Sequence, residues 1–250
     1  DVHLNDPSES RWKAFVEFLN YVKRQSDVSD LFLVGDIFDL WLVDHDYFIK
    51  KYGEVVRALD EIAANGVTIH YFEGNHDLYL QTYWQMNKKF NVYSEGQNFK
   101  HHNLNFRVEH GDQVDPDDKG YLFLRWFLRT GFMKWFTRSM PERLIVGIGE
   151  KASKSSRKYT SEFKVIDPER IRKLMYDYGQ KLLGEQNPAL DLVILGHVHL
   201  KVDEIVSSHS QQIRVINLGT WLDGSENVFE IHPTEGARWL DWRVQTKIEQ

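Results

Sequence analysis

The chain has 250 residues, a formal net charge of −6 and no cysteine. That length suits one large domain better than two, and the charge argues against a uniformly basic nucleic-acid binder. The absence of cysteine excludes disulfides, thiolate zinc sites, iron–sulfur clusters and a cysteine nucleophile. Hydrophobic residues make up 42% and aromatics 14%, enough for a sizeable core. No apolar run of about 18 residues occurs, so no transmembrane helix is expected.

Trp12, Phe15, Val16, Leu19 and Val22 recur at helical spacing and predict a helix over about 11–24. Leu31-Phe32-Leu33-Val34 reads as a buried strand that runs into Gly35-Asp36. A second helix is predicted over about 47–64, with Val55, Val56, Leu59, Ile62 and Ala63 as its apolar stripe and Gly66 where a C-cap belongs. Residues 67–72 are β-branched and aromatic, a strand by composition, and lead into Gly74-Asn75-His76-Asp77. A strand over 104–109 leads into His110-Gly111-Asp112, and Leu192 to Leu195 leads into Gly196-His197-Val198-His199. Further strands are expected near 201–206, 213–218, 226–232 and 237–244. By the same grammar Asp1 should follow a strand, which lies outside this sequence. Strands alternating with helices imply an α/β layered fold, and the strand-rich last third implies a second sheet. The predicted architecture is a two-sheet β-sandwich flanked by helices, one domain over 1–250.

Residues 119–158 differ in composition. They carry ten Lys or Arg against two acids, a local charge of +8 that leaves −14 for the rest of the chain. They also hold Tyr121, Phe123, Trp126, Phe127, Phe132, Trp135 and Phe136. The prediction is a helical insertion over 119–165. Its basic and aromatic residues suit an anionic membrane surface, and Trp126, Phe127 and Trp135 suit a groove for acyl chains. An ordinary helical pair with a solvated basic face is the alternative.

Five motifs each place a metal-capable side chain just after an apolar strand: Asp1-x-His3, Gly35-Asp36, Gly74-Asn75-His76-Asp77, His110 and His197-x-His199. Side chains at strand ends gather along one sheet edge, where α/β proteins put their sites. Taken singly these motifs are weak; Asn75-His76 after a glycine could be a plain turn. Together they supply seven oxygen and nitrogen donors: Asp1, His3, Asp36, Asn75, His110, His197 and His199. Seven is too many for one tetrahedral zinc and suits two divalent ions sharing a carboxylate. Manganese, iron(II) and zinc all accept such donors; manganese is the first expectation.

As a set, Asp-x-His, Gly-Asp-x-x-Asp (Gly35 to Asp39), Gly-Asn-His-Asp, His before Gly-Asp, and Gly-His-x-His resemble the motifs of the calcineurin-like metallophosphoesterases. The resemblance implies a sandwich with flanking helices and a dinuclear site. It assigns Asp1, His3, Asp36 and His199 to the first ion, and Asp36, as the bridge, Asn75, His110 and His197 to the second. It makes His76 a catalytic group at the leaving oxygen, with Asp39 in the orienting position. Gly35-Asp36-Ile37-Phe38-Asp39-Leu40-Trp41, Asp117 to Tyr121 and the helical insertion narrow the likeness to bacterial UDP-2,3-diacylglucosamine diphosphatases of lipid A biosynthesis. That likeness implies hydrolysis of a lipid-linked nucleotide pyrophosphate to UMP and a lipid phosphate, a helical lid over the ions, and a cytoplasmic location peripheral to the inner membrane. It assigns Asn75, Asp118, Tyr121, Ser153 and Arg157 to the substrate, with no nucleic-acid or protein partner. The chain departs from that branch at His76, where its best-known members carry Arg. A soluble metal-dependent phosphodiesterase or phosphatase is the rival enzyme, and a non-catalytic scaffold the rival class. His45, His70, His101, His102, His209 and His232 fall outside the motifs and are expected in packing or surface roles. His45, flanked by Asp44 and Asp46, is the first exception to check.

Overall fold

The computed structural model describes residues 1–101, 103–149, 151, 167–185, 189–208 and 211–248. Two sheets form its centre. The first is parallel, in the order β1 (Asp30–Leu33), β3 (Thr68–Phe72), β5 (Asn91–Tyr93). The second is mixed, in the order β6 (Gln97–His101), β7 (Leu104–Val108), β8 (Leu192–Leu195), β10 (Gln211–Leu218), β9 (Lys201–Ser208). Two small pairs complete the strands: β2 (Trp41–Leu42) with β4 (Asp77–Leu78), and β11 (Val228–His232) with β12 (Gly236–Leu240).

Alternation along the strands builds the layers, because successive side chains point to opposite faces. Phe32, Val34 and Phe72 point inward and meet Phe106, Val108, Leu192, Ile194 and Ile216 of the second sheet. Leu31, Leu33, Ile69 and Tyr71 point outward and pack beneath α1 (Ser10–Arg24) and α3 (Gly53–Ala64). On the far side, Val193, Leu195, Val206, Ile213 and Val215 pack under Met175 of α6 (Pro168–Gly184). The order is helix, sheet, sheet, helix, the predicted sandwich. His70 sits in the middle layer, stacked on Phe32 at 4.5 Å and bonded to Tyr93 and Asp30 at 3.0 Å each. It is a packing histidine, as expected.

The structure corrects several boundaries. The predicted helix 47–64 is two helices, α2 (Asp46–Lys51) and α3, because Tyr52 leaves helical geometry ahead of Gly53. The predicted strand 237–244 stops at Leu240, and α7 (Trp242–Ile248) follows. Helix α6, the strands β5 and β6 and a π-helix at Gln81–Asn87 were not anticipated. Within the insertion, α4 (Lys119–Leu128), α5 (Gly131–Ser139) and a helical stretch at 142–149 are described. Ser153 and Arg157, and also His102 and His209, lie outside the described residues.

Candidate metal centre

The five motifs meet at one edge of the sandwich, joined by backbone and carboxylate bonds. Val2 and His3 both donate their amides to Asp36 O at 2.9 Å, and Leu4 donates to Ile37 O at 2.9 Å. The first two motifs therefore run together like paired strands. Asp77 fastens the third. Its Oδ1 accepts from the amides of Asp36 (3.0 Å) and Gly74 (2.7 Å), and its Oδ2 from the Ile37 amide (2.9 Å) and Tyr71 OH (2.7 Å). One buried carboxylate thus sets the spacing of two loops. Burial, then the nearby Asp36 charge, pushes the Asp77 carboxyl up to about 6. The fourth motif is held where His110 Nδ1–H donates to Val34 O at 3.0 Å. In the fifth, His197 N donates to Asp1 Oδ2 at 2.5 Å, while the Asn217 side chain grips the Gly196 carbonyl.

Four candidate ligands, His3, Asp36, His197 and His199, have left-handed backbones, with φ from 50° to 70°. Non-glycine residues rarely adopt this region, and such strain persists only where the surroundings over-determine it. Two glycines admit the close approach. A Cβ on Gly35 would stand 2.4 Å from His110 Nδ1, and one on Gly74 would stand 2.1 Å from Asp36 Oδ1.

The donors form two adjoining groups. Single donor atoms of Asp1, His3 and His199 lie within 4.8 Å of one another, as do those of Asp36, His110 and His197. His3 Nε2 is 3.1 Å from His199 Nε2 and 3.9 Å from Asp1 Oδ1. Asn75 Oδ1 is 3.2 Å from His110 Nε2 and 3.0 Å from His197 Nδ1. Asp36 Oδ2 lies between the groups, 3.9 Å from His3 Nε2 and 3.6 Å from His110 Nε2. That is the place of a shared ligand.

The chemistry of the pocket fits cations. Asp1 Oδ1 and His3 Nδ1 are buried with no hydrogen-bond partner. Buried polar atoms are normally satisfied, so such exceptions ask for a missing partner. Burial lowers His197 to about 3 and His199 to about 4 and holds His3 well below its usual value. These rings stay neutral near pH 7, the form that ligates metal. Burial works to raise the Asp36 carboxyl, but the neighbouring His110 and His76 rings and the His76 amide hold it low. Its oxygens are therefore available as an anion.

His76 borders the first group. Its ring centroid is 4.8 Å from that of His3, and one nitrogen of each lies within 4.8 Å of an Asp39 carboxylate oxygen. The bond that orients the His76 ring runs from Nδ1 to the main-chain carbonyl of Asp39, at 2.8 Å. Tyr121 reaches the site from the insertion, its ring 5.5 Å from His197. Asp118 is the N-cap of α4, accepting from the Tyr121 amide at 3.0 Å. His45 ties α2 to the insertion through Thr137 O at 3.2 Å. Asp77 and Asn217 are the positioning residues to which sequence reasoning gave no role. Asp77 had a signal, being the acid that closes the Gly-Asn-His-Asp run; Asn217 had only its place after the apolar run Val215-Ile216.

This edge of carboxylates, amide and imidazoles has the donor chemistry of a candidate metal centre. The calcineurin-like phosphoesterase family model matches residues 1–201; the chain belongs to that family and is a hydrolase. Its relatives include the UDP-2,3-diacylglucosamine hydrolase of Pseudomonas fluorescens (strain Pf0-1), 25% identical over 95% of this chain and 94% of that protein. The enzymes of the same name from Ectopseudomonas mendocina (strain ymp) and Porphyromonas gingivalis (strain ATCC BAA-308 / W83) are 26% and 25% identical. Each alignment covers 88% of this chain, with 88% and 86% of the relative.

Proposed function

We propose that this chain hydrolyses the pyrophosphate bond of a lipid-linked nucleotide of the UDP-2,3-diacylglucosamine type, releasing UMP and a lipid phosphate. The observation that carries the reading is the convergence of seven donors into two groups joined at Asp36, beneath an insertion that keeps most of its described aromatic side chains in solvent. Trp126 and Trp135 are each 63% exposed, Phe123 slightly more and Phe132 slightly less. Exposed aromatics beside basic residues suit acyl chains and an anionic membrane surface. No described helix is long and apolar enough to cross a membrane; the contact proposed is peripheral, on the cytoplasmic face.

Asp1, His3, Asp36 and His199 would hold one divalent ion, and Asp36, Asn75, His110 and His197 the other, manganese being the first to test. When bound, such a pair supplies charge neutralisation and an activated water for in-line displacement at phosphorus. The chain's own residues then do three things. Asp36 fixes the spacing of the two groups. Asn75 presents an amide to the phosphoryl oxygens. His76, its Nδ1–H committed to the Asp39 carbonyl, keeps Nε2 for the proton delivered to the leaving oxygen. Asp118, Tyr121, Ser153 and Arg157 are the proposed contacts to the nucleotide-lipid headgroup.

His76 favours the second reading, a soluble phosphodiesterase, because the best-known members of the lipid A branch carry Arg there. A parallel assay separates them: turnover of UDP-2,3-diacylglucosamine and of a chromogenic phosphodiester, both with Mn²⁺. The proposal expects strong preference for the lipid, with binding to anionic liposomes. Equal turnover without liposome binding assigns the soluble activity instead.

A further inference from the structure

Helix α4 meets the ligand-bearing edge along one face. Tyr121, Arg125 and Arg129 succeed one another at four-residue spacing and share that face. Arg125 Nε donates to Asp112 Oδ2 at 2.8 Å, and Tyr121 OH donates to the same oxygen at 2.9 Å. Asp112 is buried and lies two residues beyond His110. Arg129 Nη1 donates to Glu73 Oε2 at 3.0 Å. Glu73 is buried too and lies two residues before Asn75. Arg125 and Arg129 also donate to the Ser94 carbonyl, at 3.5 Å and 3.0 Å, which ties the two pairs together.

Removing the cation from a buried ion pair leaves an uncompensated charge, which destabilises the backbone arrangement that buries it. Here that backbone carries ligands. The loops so gripped deliver Asn75 and His110, and the Tyr121 ring flanks His197. All three belong to one of the two donor groups.

We infer that Tyr121, Arg125 and Arg129 form a positioning strap through which the insertion sets the affinity of the Asp36–Asn75–His110–His197 ion site, leaving the Asp1–His3–His199 site unaffected. The inference rests on the two-ion reading above. It makes the insertion a support of the metal centre as well as a cover for substrate. Outer partners of ligands commonly change metal affinity roughly 10–100-fold.

The test uses the full chain, stripped with a chelator and titrated with Mn²⁺ alone. Calorimetry counts the ions, and electron paramagnetic resonance distinguishes a coupled pair from a single ion. The wild type should take two ions. Arg125→Met with Arg129→Met should bind the first ion as the wild type does and the second roughly 10–100-fold more weakly. Its spectrum should be that of a single ion at concentrations that pair the wild type. Arg125→Lys with Arg129→Lys should recover much of the loss. Should the double variant fail to fold, Arg129→Met and Glu73→Gln ask the same question singly. Each should weaken the second ion, and together they should weaken it no more than either does alone. Variants that keep both affinities, or weaken both ions equally, overturn the strap and leave the two-ion reading standing. A wild type that takes one ion or none overturns that reading and the strap with it.

Discussion

The ligand-bearing edge and the outer face of the insertion follow opposite rules. At the edge, Asp1, His3, Asp36 and His110 are almost wholly buried polar groups, and the backbone carrying them is fastened at every turn. On the insertion, Phe123, Trp126, Phe132 and Trp135 are large apolar groups left in water. Each violates the ordinary sorting of polar out and apolar in. The contrast teaches where function sits: the edge holds a geometry suited to cations, and the insertion holds an exposed apolar surface, for which a lipid is the proposed partner. Helix α4 belongs to both, with its arginines turned to the edge and Phe123 and Trp126 turned away.

The comparison can be broken most severely at its shared carboxylate. Asp36→Ala should abolish turnover, because both donor groups lose their common member; retained turnover with two ions bound would separate Asp36 from the centre. His76→Ala removes a group beside the ions but outside both proposed ligand sets. Metal content should stay at the wild-type level while kcat falls by roughly 10²–10⁴. Loss of metal in that variant would make His76 a ligand instead.

Asp77→Ala attacks the fastening of the edge. It strands four donors that now share one carboxylate, at a cost of about 3 kcal/mol or more. Thermal unfolding should shift down by roughly 6 °C or more at this chain length; an unchanged transition would mean that the loops hold themselves. The insertion should answer in reverse. Replacing Phe123, Trp126 and Trp135 together by Ser should leave folding stability within about 0.5 kcal/mol, as for surface positions generally. The same variant should lose its partition onto anionic liposomes. A large drop in stability would show these side chains packed rather than offered to a ligand.

Much of the edge was legible because its residues obey two local rules at once, an apolar strand followed by a polar turn with metal-capable groups. The rest depended on distance in space. Asp77 serves residues 36 and 37, some forty positions earlier, and Arg125 serves Asp112 across a loop; no spacing encodes either. The sandwich was readable from runs such as Leu31 to Val34 and Leu192 to Leu195, whose unbroken apolarity signals burial on both faces. The strands β5 and β6 were not, since Asn91, Gln97 and Asn98 are exposed and polar. Two missed helices did carry start signals. Asp167 caps α6 ahead of Pro168, and Asp241 accepts from the Val244 amide at 3.1 Å at the start of α7; both are common N-terminal devices. The aromatic Trp242 obscured the second by lending its segment a strand-like composition. The break at Tyr52 was hidden because the apolar stripe of α3 continues the phase of α2.

The most direct test of the central claim is anomalous diffraction from crystals of the full chain soaked in Mn²⁺. Two peaks roughly 3.5–4 Å apart, with the Asp36 carboxylate touching both, are the predicted result. A single peak, or two peaks that Asp36 does not join, would contradict it.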